Sequence, residues 1–189
     1  MTGPLEHPLD HPDGRPAGRP AGRSVRHAAI VLAAMALAAV VAGLVWEWWW
    51  TPPTGYVVDH QWYADGAGLR EDFSGTGTYV AVASLTGLLV AVTLAVVFDR
   101  SELAVLGGVV VGSVLAAWLM HRVGLAVAPP DPAVAAATAE DGTTLPGALE
   151  VVGFSPFLAF PVGSSVGLLV VFFGLARRER SADRPTGHE

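Results

Sequence analysis

The stretch from Ala28 to Val45 reads AAIVLAAMALAAVVAGLV, eighteen residues without a charge. An α-helix rises 1.5 Å per residue, so about 20 apolar residues cross the ~30 Å hydrocarbon core of a bilayer. Trp46-Glu47-Trp48-Trp49-Trp50 follows directly. Indoles favour the membrane–water boundary, so Trp46, Trp48, Trp49 and Trp50 are expected to form an interfacial aromatic belt. Thr51-Pro52-Pro53 then ends the helix, because proline lacks a donor and restricts the residue before it. A cleaved signal peptide is the competing reading. The run exceeds the usual core of about 7–15 residues and is followed by bulky Trp, which favours an uncleaved anchor.

Working outward, three more apolar runs appear, giving spans at about 28–48, 79–98, 103–127 and 157–176, with His121 and Arg122 near the far end of the third. The expected fold class is all-α membrane: a four-transmembrane-helix bundle with a short β-hairpin-like outer loop. Asp99-Arg100-Ser101-Glu102 is the only break between the second and third spans, so those two are expected to be antiparallel neighbours. Residues 1–25 carry Pro, Gly, His, Asp and Arg with a Gly-Arg-Pro-Ala duplication at 14–21, and are expected to be a disordered tail, as are 181–189. The membrane domain is 26–180, with loops at 49–78 and 128–156. In the first loop, Tyr56-Val57-Val58 and His60 to Tyr63 have strand-like content, and Asp65-Gly66 is a turn pair. In the second, Leu145 to Val152 is expected to return to the surface as a strand or shallow segment.

Composition agrees. Of 189 residues, 52% are hydrophobic and 15% charged, against roughly 25% charged in soluble domains. There is no cysteine, so disulfides, thiolate metal sites and a cysteine nucleophile are excluded. All eleven basic residues are Arg, a bias typical of a GC-rich genome. Arg15, Arg19, Arg23, Arg26, Arg100, Arg177, Arg178, Arg180 and Arg184 fall on one side of the predicted spans, and only Arg70 and Arg122 on the other. The positive-inside rule then places both termini in the cytoplasm of a multi-pass plasma-membrane protein, with the two long loops outside. No basic patch interleaved with aromatics supports nucleic-acid binding.

Chemistry-bearing residues are few. Gly108, Gly112 and Ala116 recur every four residues in the third span, and Gly163 and Gly167 in the fourth. Small residues allow close helix approach in lipid, so these are helix-packing positions, whether within the bundle or between copies. Glu47 and Arg122 sit where outer helix ends should lie. They either form an outer-interface ion pair or reach the headgroups independently. His60, Asp59, Asp65, Glu71, Asp72 and His121, and His7, His11 and Asp13 in the tail, match no metal motif and read as solvated polarity. Ser155, Ser164 and Ser165 have no His near them in sequence, and no phosphate-binding Gly loop is present. No catalytic residue, cofactor site or metal site is therefore expected.

The order Gly43-Leu44-Val45-Trp46, Gly77-Thr78-Tyr79, Ala117-Trp118 with Arg122 and Gly124, then Leu145, Pro146, Leu149, Glu150 and Pro161 resembles an uncharacterised actinobacterial family of small four-span integral membrane proteins, a domain of unknown function. The resemblance covers about Val25 to Arg180. The additional Trp residues and Glu47 depart from it. It implies a topology and carries over no site residue. The expected function is a non-enzymatic accessory or scaffold component at the cell envelope, with the lipid bilayer and another envelope protein as partners. The alternative is a permease-like transport subunit acting as an oligomer, which needs polar residues at mid-depth. Only Ser84, Thr86, Thr93, Ser113, Ser164 and Ser165 are available for that. A third reading, an outward-facing sensor, requires an ordered pocket formed by residues 54–77 and 128–155.

Overall fold

The computed structural model describes residues 21–66, 74–98 and 102–182. Residues 1–20 of the tail expected at 1–25, 183–189 of the tail expected at 181–189, 99–101 of the turn expected at 99–102, and Arg70, Glu71 and Asp72 lie outside the described residues. The elements are α1 (Ala21–Trp49), β1 (Thr54–Val58), β2 (Gln61–Ala64), α2 (Ser74–Val97), α3 (Glu102–Val127), a short α4 (Pro132–Ala136), β3 (Thr144–Pro146), a 3-10 turn (Ser155–Leu158) and α5 (Ala159–Ala182). Among the described residues, four helices are long and apolar enough to cross a membrane. Two helices start before their expected bounds: α1 starts at Ala21, inside the expected tail, and α2 starts at Ser74, five residues before Tyr79. Pro161 falls in the first turn of α5. A proline excludes the helical bond to the carbonyl four residues back, and that residue, Phe157, lies in the 3-10 turn before α geometry begins at Ala159.

The helices do not pack in the order that the chain connects them. The extensive contacts are α1 with α3 and α2 with α5, whereas α2 and α3 barely touch. The expected neighbour relation between the second and third spans is thereby corrected. A short connection limits where two helices can go, but side-chain complementarity decides what each one packs against, and here the glycines decide it. A Cβ on Gly108 would lie 3.1 Å from Val31 Cγ1, and one on Gly112 would lie 3.1 Å from Met35 Cγ. Gly124 makes room for the Trp46 indole, which a Cβ there would strike. Residues 31, 35 and 46 thus match 108, 112 and 124 in ascending order, so α1 and α3 run parallel.

The α2–α5 pair is also parallel. Gly163 sits against the Ser84 backbone, Gly87 against Phe160 and Ser164, and Gly167 against the Leu88 carbonyl. The sequence echoes this reciprocity: Ser84-x-x-Gly87-Leu88-Leu89-Val90 and Ser164-x-x-Gly167-Leu168-Leu169-Val170 share one pattern. Two copies of one small-residue seam meet face to face. Tight seams of this kind gain their energy from dispersion, since lipid tails offer little hydrophobic drive between helices.

The faces away from the seams are apolar as well. Leu37, Leu85, Leu89, Val114, Leu115, Val170 and Phe173 are all more than half exposed. Soluble monomers rarely leave contiguous apolar patches larger than a few hundred Å² bare.

At the end of the bundle where α1 and α3 finish, both long loops fold into one cap. Its sheet has the order β2-β1-β3, all antiparallel, so the third strand comes from the second loop. The hairpin expected in the first loop is present, but it reverses at Asp59-His60, with φ of 51° and 59°, and not at Asp65-Gly66. Positive φ at both central residues is the I′ geometry that suits the strand twist. Asp65 instead closes the open end of the hairpin: its N–H donates to the Thr54 carbonyl (3.1 Å), and its Oδ2 accepts from Thr54 Oγ1 (2.8 Å). Hydrogen bonds from Gly147 N to Pro53 O (2.7 Å) and from Val57 N to Thr143 O (3.0 Å) join the two loops.

Candidate functional site

Two layers lie at the cap end of the bundle. The lower one is an aromatic plug to which each quarter of the bundle contributes a ring. Trp46 comes from α1, Tyr79 from α2, His121 from α3 and Phe157 from the 3-10 turn before α5. Trp46 meets Tyr79 edge-on at 5.1 Å between centroids, and His121 meets Phe157 edge-on at 5.1 Å. The polar tips are tied to backbone, with Trp46 Nε1 donating to Gly75 O (2.9 Å) and the Tyr79 hydroxyl to Ala117 O (2.8 Å). His121 Nδ1 is buried with no hydrogen-bond partner among the described residues. Fixed rings joining all four helices make this layer a structural clamp.

The belt expected at Trp46, Trp48, Trp49 and Trp50 divides in two. Trp48 and Trp49 are 82% and 59% exposed and point away from the bundle, as a belt requires. Trp46 and Trp50 are 0% and 7% exposed and face inward. They continue the buried stripe Val31, Met35, Ala39, Ala42, whose steps of three and four follow the helical period. Among the described residues no ion pair joins Glu47 to Arg122. The Arg122 guanidinium lies 5.8 Å from the Trp118 ring centre instead, on the exposed side of α3.

The upper layer holds a cleft of about 450 Å³ between the sheet and the helix ends. Both loops line it. Trp50, Pro53, His60, Gln61 and Trp62 come from the first, Gly75 from the start of α2, and Asp131, Pro132, Ala133, Ala148 and Glu150 from the second. The local sequence holds each wall in place. Trp62 donates from Nε1 to Leu145 O (3.2 Å) and lies over Gly55, whose missing Cβ leaves room for the indole. Asp131 caps α4 by accepting from Ala133 N (2.8 Å), with Pro132 in the first turn, where an N–H would have no helical partner. Trp50 is held over Gly75. A Cβ on Gly75 would lie 3.5 Å from Trp50 Nε1 and 2.7 Å from Glu150 O.

Several residues considered from the sequence are thus separated. His60 is at the cleft, while His121 is in the plug below. Among the described residues no group of three or more His, Asp or Glu is placed to hold a metal ion. The helix-packing positions Gly108, Gly112, Ala116, Gly163 and Gly167 are at contacts inside the chain. Of the mid-depth hydroxyls, Thr93, Ser113 and Ser165 bond to carbonyls of their own helices, at Leu89, Val110 and Pro161. The Ser164 hydroxyl packs against Gly87 and is buried with no hydrogen-bond partner among the described residues.

No protein-family model, curated protein or solved structure matches this chain.

The cleft residues Trp50, Gln61, Trp62, Asp131 and Glu150 were not singled out together from sequence. They are spread over 100 residues, and only strand pairing between the two loops gathers them. One signal was available for Trp50, its four-residue spacing from Trp46.

Proposed function

We propose that the chain is a non-enzymatic polytopic protein of the plasma membrane. Four helices anchor it, and its folded cap faces outward as a recognition element of an envelope accessory component. The observation that carries this reading is the cleft built jointly from the two loops, since an ordered pocket in those segments is what an outward-facing sensor requires. The asymmetry of Arg supports the sidedness, because nine of eleven fall on the side opposite the cap. Three of the six candidate hydroxyls, those of Thr93, Ser113 and Ser165, are bonded within their own helices, which weighs against the permease reading, since it needs polar groups turned toward a shared path. Membership of the small four-span family that the sequence resembles belongs to the same proposal.

The absence of cysteine makes the test clean. Single reporters, Thr138→Cys in the cap and Thr186→Cys in the C-terminal segment, are labelled with a membrane-impermeant maleimide. Intact cells should label position 138 at once and position 186 only after lysis. The reverse pattern would overturn the proposed orientation, and equal labelling in intact cells would overturn the membrane topology.

A further inference from the structure

The cap is strongly one-signed. Its described residues, 50–66 and 128–158, carry Asp59, Asp65, Asp131, Glu140, Asp141 and Glu150 and no Arg, and the whole chain has no Lys. Two of these acidic residues, Asp131 and Glu150, line the cleft, and neither has an ion-pair partner among the described residues. Two indoles, Trp50 and Trp62, form walls of the same cleft. Carboxylates in an aromatic-walled cavity attract a cation both by charge and through the ring quadrupoles. A bare divalent metal fits poorly, because no three ligating side chains converge among the described residues.

Trp50 adds a second requirement. The residue is only 7% exposed, and its Nε1–H has no acceptor among the described residues. This donor sits at the Gly75 edge of the cleft. Nε1 keeps access to the cleft, so a ligand oxygen placed there can accept from it. Gln61 supplies a further amide at the rim. At about 450 Å³, the cleft has the capacity of a small-molecule site.

We infer that the cleft binds a small organic cation that also carries a hydroxyl or carbonyl oxygen: an amino alcohol or amino sugar, with its ammonium toward Asp131 and Glu150 and its oxygen accepting from Trp50 Nε1–H. This rests on the proposed outward-facing cap.

The test uses the full chain in phosphatidylglycerol nanodiscs, with tryptophan fluorescence and calorimetry read against empty discs. Choline, ethanolamine and glucosamine are the cationic probes. 3,3-Dimethylbutan-1-ol and glucose are the neutral counterparts, and propyltrimethylammonium lacks the oxygen. At least one cationic probe should bind saturably, about tenfold or more tighter than its neutral counterpart. Asp131→Asn, which keeps the helix cap, and Glu150→Gln should each weaken that binding several-fold, and Trp50→Phe should erase the advantage of choline over propyltrimethylammonium. The inference is overturned if no cationic probe binds, if neutral counterparts bind equally well, or if both carboxamide variants bind like the parent. Binding of glucose alone would remove the cationic chemistry and leave the recognition reading standing. The labelling test of the cap's sidedness needs no ligand, so failure of that reading is seen separately.

Discussion

Gly163 shows how much one missing carbon decides. Its Cα faces the Ser84 backbone so closely that any Cβ would have to push α2 and α5 apart, and backbone cannot yield as a flexible side chain can. Gly163→Val should therefore lower the unfolding midpoint in detergent by the equivalent of more than about 2 kcal/mol, in the range of overpacked cores. Gly174, in the same helix, has nothing within 4 Å, and Gly174→Ala should be neutral or stabilise by up to about 1 kcal/mol through reduced backbone freedom. A thermal scan of both variants checks the pair. At this scale the sequence was informative about residue type and less so about direction. The four-residue spacing marked Gly108, Gly112, Gly163 and Gly167 as contact positions, but it could not say which helix each would meet. The indoles of Trp46, Trp48, Trp49 and Trp50 read alike as boundary residues. Only the helical phase, with positions 46 and 50 on the stripe of Met35 and Ala39, separates the two that point inward.

The four long helices were legible because apolar runs of that length have few other solutions. Their pairing was not, because every face is apolar and no amphipathic stripe points to a partner. The short turn between the second and third spans suggested a packed hairpin, whereas close approach at glycine overrides chain proximity. Parallel pairing of α1 with α3 is open to direct test. The Cβ of Val31 lies 3.5 Å from the position a Cβ would take on Gly108, within the range that a disulfide spans. The double variant Val31→Cys with Gly108→Cys should form an intramolecular crosslink on mild oxidation, seen as an intact disulfide-linked peptide pair by mass spectrometry. Either single variant should give none. Failure of the double variant to crosslink would mean that α1 and α3 are not neighbours in that register. In the cap, the strand content of 56–58 and 60–63 was readable, but β3 was open to two readings, because three residues pair only when another strand's edge is offered.

The whole molecule combines an unusually apolar shell with a polar cap. Buried polar residues inside the bundle are confined to Ser113 and Ser164 among those described, and the exposed faces are Leu, Val and Phe. In water such a shell would be the dominant cost of the fold. In lipid it is satisfied, and the seams and aromatic clamp then decide the arrangement. The cap gathers most of the described carboxylates at one end, and the Arg residues in the sequence gather toward the other. The most direct measurement is extraction of native membranes with alkaline carbonate, followed by sizing of the purified chain with and without detergent. The chain should stay in the pellet, run as a single species in detergent and aggregate when detergent is withdrawn. Release by carbonate, with a monodisperse peak in plain buffer, would contradict the account.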